Sequence, residues 1–253
     1  MKKIVVLFFM LFFLKSFAQV RTIHVFVALC DNEHQGIVPV PKSIGNGKDA
    51  KNNLYWGAGY GIKTYFQFKT RGWKLVKTIK ANNPFILERL LFKHINKEVY
   101  LLADAYDGEK IKDCIEDLLK SANGQVPVKI EHESGELNFG GAADLLAYIG
   151  HDGLMEFQVD VKYNSSVNKS QDIIILACYS KSYFSPEIKK TKARPILWTT
   201  HLMAPEAYTL KAAIDGWILN ETGVEIEERA AQEYHKYQKC GIKGARNLFT
   251  TGY

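Results

Sequence analysis

The sequence predicts an α/β domain, a three-layer α-β-α sandwich around a mostly parallel sheet. Short β-rich apolar runs alternate with helical stretches over nearly the whole chain, which is the order of β-α-β units. Several of these runs are apolar at almost every position, as strands covered on both faces are. No internal repeat, low-complexity linker or shift in composition interrupts residues 19–253, so one domain spans them.

The elements follow in order. Lys2 and Lys3, an apolar stretch from Ile4 to Leu14 and the small-residue site Ser16-Phe17-Ala18 predict a secretory signal peptide over residues 1–18. Its apolar run is short for a membrane span, so no stable membrane insertion is expected after cleavage. Thr22 to Leu29 (TIHVFVAL) predicts a buried strand that ends at Cys30-Asp31-Asn32. His34 to Asn53, with Pro39, Pro41, Gly45 and Gly47, predicts a long loop. Ile62 to Phe68 suits either a helix or a strand. Trp73 to Ile79 predicts a strand, and Pro84 to His94 an amphipathic helix with Phe85, Leu87, Leu90 and Leu91 near one face.

Glu98 to Ala105 predicts a strand and Gly108 to Ser121 a helix, on the helical spacing of Ile111, Cys114, Ile115, Leu118 and Leu119. Leu145 to Ile149 and Ile173 to Ala177 predict two further buried strands. Ser180 to Ser185 opens a helix or a loop, and Pro195 to Thr199 is another strand. Ala204 to Asn220 predicts a helix with Pro205 in its first turn. Glu225 to Lys239 predicts a second helix, and the tail from Gly241 carries no clear pattern.

Composition narrows the classes of partner. The net charge of +6 falls to +3 once Lys2, Lys3 and Lys15 are removed with the leader, too weak a balance to point to nucleic acid. Apolar residues make up 47% and charged residues 24%, which gives no disorder signature. Four scattered cysteines, Cys30, Cys114, Cys178 and Cys240, form no CxxC pair, so neither a zinc site nor another cofactor is called for. They leave room for a thiol kept for chemistry.

The chemistry gathers at two strand ends. The run from Leu145 stops at His151-Asp152-Gly153, and the run from Ile173 stops at Cys178-Tyr179-Ser180. Neighbouring parallel strands bring such ends together at the sheet edge where open α/β proteins bind ligands. A cysteine with a histidine in reach suffices for acyl transfer, because imidazole generates the thiolate and later protonates the leaving group. Gly153 suits an oxyanion-binding N–H, since glycine lets a substrate approach closely. Asp31, at the end of the first strand, suits turn initiation with Asn32. No Gly-x-Ser-x-Gly elbow is present, and residues 57–61 lack the strand and spacing of a dinucleotide loop.

A strand ending in histidine before glycine, then a strand ending in Ala-Cys, resembles the caspase-like cysteine peptidases: caspases, metacaspases, legumains, gingipains and clostripain. The element order resembles theirs over nearly the whole mature chain. The resemblance implies an exported cysteine endopeptidase acting on polypeptide, with Cys178 as nucleophile and His151 as general acid/base. It further implies a specificity pocket involving Asp31, which could pair with a substrate Arg or Lys, and Asp152, which could serve similarly. Trp198, Thr199 and Thr200 would be the edge along which an extended substrate pairs. Two other classes compete: the same fold as a non-catalytic binding or assembly module of the cell envelope, and a periplasmic ligand-binding domain. The latter would use the aromatics Tyr55, Trp56, Tyr60, Tyr65 and Phe66.

Overall fold

The computed structural model describes residues 19–133, 135–164 and 170–253, and the leader expected over 1–18 lies outside them. One eight-stranded sheet organises the chain. Its strands are β1 (Arg21–Ala28), β2 (Trp73–Ile79), β3 (Ile86–His94), β4 (Val99–Tyr106), β7 (Leu145–Ile149), β8 (Asp172–Leu176), β9 (Arg194–Thr199) and β10 (Phe249–Thr250). A separate hairpin pairs β5 (Pro127–His132) with β6 (Gly135–Gly140). The order across the large sheet is β10-β9-β8-β7-β1-β4-β3-β2.

β4, β1, β7, β8 and β9 pair in parallel, while the β2–β3 and β3–β4 pairs at one edge and the β9–β10 pair at the other are antiparallel. The sheet is therefore mixed, which corrects the expectation of a mostly parallel one. β2, β3 and β4 form a meander whose short connections leave no length for crossover helices, so those strands must alternate in direction.

The helices are α1 (Ile62–Thr64), which continues as a π-helix over Tyr65–Lys69, then α2 (Ile111–Ala122), α3 (Ser180–Ile188), α4 (Ala207–Ile218), α5 (Gly223–Gln238) and α6 (Ile242–Leu248). They cover both faces of the sheet because β1 is apolar on both. Ile23, Val25 and Val27 pack into one core with Leu210, Ile214 and Ala230 of α4 and α5. Phe26 and Ala28 pack into the other with Ile115, Leu118 and Phe184 of α2 and α3. This alternation is the period-2 geometry of a strand.

Two elements depart from the sequence reading. Pro84 to His94 is no helix: residues 86–94 form β3, paired with β2 and β4. Leu90 and Phe92 enter one core and Leu91 a different one, while Leu87, expected on the apolar face, is 42% exposed. The tertiary demand of the meander overrides a helix-like spacing. The helix expected from Ala204 begins only at Ala207, so Pro205 belongs to an extended stretch that wraps over the sheet's carboxyl edge.

Candidate active site

β1 has β4 on one side and β7 on the other, so the strand order reverses there. Crevices open outside the carboxyl ends of strands at such a reversal. β7 and β8 pair in parallel with Ile149 opposite Leu176, and Gly150 N–H still donates to Leu176 O at 3.2 Å. His151 and Cys178 each lie two residues beyond that last pair. They therefore occupy equivalent places on strands about 4.8 Å apart.

The local turns fix both residues. Gly150 has φ +154°, a conformation that favours glycine, and the Tyr148 hydroxyl donates to His151 O at 2.6 Å. After Cys178 the chain turns at Tyr179, which holds φ 51°, ψ 30°, and enters α3. Ser180 Oγ donates to Ile175 O at 2.8 Å and lies 2.9 Å from Thr199 Oγ1, which also bonds Ala177 O. This buried hydroxyl pair ties the cysteine turn to β9.

Both residues open onto one cavity of about 470 Å³ at the carboxyl edge. Its walls are largely apolar and come from the loop at Ile37 and Val38, from Leu54 and Tyr55, and from the wrapping stretch Leu202 to Pro205. Met203 N–H reaches Cys178 Sγ at 3.5 Å. Burial pushes the Cys178 thiol above its ordinary range and Asp152 adds to the rise, while the Met203 N–H opposes it. The resting thiol is thus largely protonated near neutrality.

His151 is 8% exposed, and its Nε2 is held by the carboxylate of Glu156. With Glu156 ionised, Nε2 carries the proton and Nδ1 is the basic ring nitrogen. Gly36 N–H donates to the same Glu156 oxygen at 2.7 Å, which docks the loop at Ile37 beside the histidine. The sequence reading missed Glu156. It lies five residues past His151, and only the fold of the intervening turn, Gly153–Met155, brings it back to the imidazole.

The remaining predicted residues lie elsewhere. Gly153 does not line the cavity: a Cβ there would sit 2.5 Å from Phe157 Cζ, so its lack of a side chain admits Phe157, not substrate. Asp31 is buried in a different pocket and accepts from Glu33 N at 2.9 Å, His34 N at 3.3 Å and His34 Nδ1 at 2.9 Å. It serves the turn. Asp152 is fully buried and off the cavity, its Oδ1 accepting from Leu154 N at 3.0 Å and its Oδ2 without a partner. Burial pushes its carboxyl up to about 7.

Trp198 is core, with its Nε1 donating to Gly252 O at 2.8 Å. Thr199 pairs with Phe249 of β10, and Thr200 N–H donates to Leu248 O at 2.8 Å. The chain's own C-terminal segment therefore occupies the edge that an extended substrate was expected to use. Of the aromatics, Trp56 and Phe66 are fully buried and Tyr55 and Tyr65 nearly so; only Tyr60 is exposed. Their role is packing.

A second cavity of about 440 Å³ lies over β1, β3 and β4, floored by a buried ionic cluster. Arg89 Nε and Nη2 grip the two Asp104 oxygens at 2.6 Å each, and His24 Nε2 meets Asp104 at 3.0 Å. Gly140 N–H donates to His24 Nδ1 at 3.0 Å, which places the imidazole proton on Nε2. Among the described residues no group of His, Cys, Asp and Glu is arranged to hold a metal ion, and no helix is long and apolar enough to cross a membrane. No family model, curated protein or solved structure matches the chain.

Proposed function

We propose that the chain is an exported cysteine endopeptidase of caspase-like type, with Cys178 as nucleophile, His151 as general acid/base and Glu156 as the group that positions the imidazole. The observation that carries this reading is the equivalent register of His151 and Cys178 on adjacent parallel strands, both opening onto one cavity. The central order β4-β1-β7-β8-β9, with the histidine after the third of these strands in the chain and the cysteine after the fourth, supports the caspase-like assignment.

His151 Nδ1 takes the Cys178 proton as sulfur attacks the substrate carbonyl carbon. The C–N bond breaks as the imidazolium returns that proton to the leaving amine, and water then hydrolyses the thioester with His151 as base. Glu156 stabilises the imidazolium through Nε2, as a carboxylate does in a catalytic triad. The raised thiol places the cost of ionisation in the attack step, where substrate binding displaces water from the cavity.

A second reading, a non-catalytic binding module, draws on that same raised thiol and on the covered edge of β9. Labelling with a peptidyl acyloxymethyl ketone separates the two. The peptidase labels at Cys178, and labelling disappears in Cys178→Ala and His151→Ala. Folded protein that never labels, or labels equally in His151→Ala, refutes the peptidase.

A further inference from the structure

We infer that the cavity beside Cys178 selects an apolar side chain, so that cleavage follows Leu, Met or Phe and not Asp, Glu, Arg or Lys. This rests on the peptidase reading and deepens it. The space next to a nucleophile receives the residue that carries the attacked carbonyl. Here that space is walled by Ile37, Leu54, Met203, Ala204 and Pro205. Its volume of about 470 Å³ holds a large side chain with room to spare.

The rim carries the same message. Val38 is 88% exposed, Leu202 67% and Met155 40%, all three on the cavity mouth. Apolar side chains gathered in water around one opening gain from being covered by an apolar ligand.

The charged lining excludes the alternatives. Among the described residues, Glu206 is the one carboxylate on the wall, and no Lys or Arg lines the cavity. A substrate Asp or Glu would be desolvated against a like charge with no cation to meet it. Glu206 is itself already bonded, accepting from Tyr208 Oη at 2.7 Å and Gln238 Nε2 at 3.0 Å on Oε2. A guanidinium or ammonium entering the pocket would meet one carboxylate oxygen, Glu206 Oε1, among mostly apolar walls, too few acceptors for its three to five donors. Apolar side chains face none of these penalties.

The test uses fluorogenic peptide amides that differ only in the residue before the scissile bond: Leu, Met, Phe, Arg, Lys and Asp. The expected kcat/KM for Leu exceeds those for Arg and Asp by about 100-fold, the order that one specificity pocket supplies. In Leu202→Asn, an uncharged change at an exposed rim position, the Leu substrate loses about 10-fold while alkylation of Cys178 by iodoacetamide keeps its rate. Turnover that prefers Arg, Lys or Asp and vanishes in Cys178→Ala overturns the specificity and leaves the peptidase standing. Turnover of no substrate overturns both.

Discussion

Asp152→Asn is expected to stabilise the protein, and to do so only as pH rises. The Asp152 side chain is fully buried; one oxygen caps the turn through Leu154 N–H, and the other has no partner. Burial holds its carboxyl at about 7 against an ordinary 3.8, with the nearby Glu156 adding to the rise. Because the folded value is raised, the native chain binds this proton where the unfolded chain has lost it. Stability from this group is full below about pH 3.8 and is lost as pH climbs through about 7. At about 1.4 kcal/mol per tenfold, that gap corresponds to about 4 kcal/mol lost above neutrality.

Asparagine keeps the oxygen that Leu154 needs and removes the ionisation. Guanidinium unfolding of wild type and variant between about pH 4 and pH 8 reads the effect. The difference in unfolding free energy should be small at the acid end, grow through the interval and level off near 4 kcal/mol in favour of the variant. A constant difference at every pH, or a variant less stable at pH 8, would refute the reasoning. Since Asp152 also helps to hold the Cys178 thiol up, the same variant should shift Cys178 alkylation toward lower pH.

Arg89→Leu strands Asp104 fully buried without its bidentate partner and should cost about 3–5 kcal/mol near neutral pH, read by chemical unfolding. Thr199→Val removes the hydroxyl that serves Ala177 O and Ser180, and should cost about 1–3 kcal/mol and slow labelling of Cys178, whose turn it anchors. Cysteine alkylation in the native protein should proceed in the order Cys240, then Cys178, with Cys30 and Cys114 reacting only on unfolding. Cys240 is exposed, Cys178 half-buried and the other two buried, and burial lifts the Cys30 thiol to about 11. Mass mapping over a time course checks that order.

Much of the sheet was legible because buried strands are written as continuous apolar runs: 22–29, 145–149 and 173–177 could not be left in water. The same pattern located His151 and Cys178, since each follows such a run directly. β3 was not legible, because Leu87, Leu90 and Leu91 fit a helical stripe and only pairing with β2 and β4 decides otherwise. The β5–β6 hairpin was hidden as well. Lys129, Glu131 and Glu136 break its apolar pattern, and the strands bury little beyond Ile130, Leu137 and Phe139.

Within the site, the strand ends could be read but not what surrounds them. Glu156 and Met203 reach His151 and Cys178 through turns whose path no local pattern encodes. Asp31, Trp198 and Thr199 lie away from the cavity for a common reason: polar or amphipathic groups near a strand end are claimed first by turns and by the core. The C-terminal segment had no periodicity to announce β10, which forms because β9 offers a free edge.

The most direct test is intact-mass and peptide-level spectrometry of the protein acid-quenched during turnover of an N-acyl-leucine ester. If His151 and Cys178 form the acyl-transfer pair, a thioester appears on the peptide that contains Cys178, absent in Cys178→Ala and strongly reduced in His151→Ala. Ester consumed with no adduct on Cys178, or an adduct undiminished in His151→Ala, would contradict it.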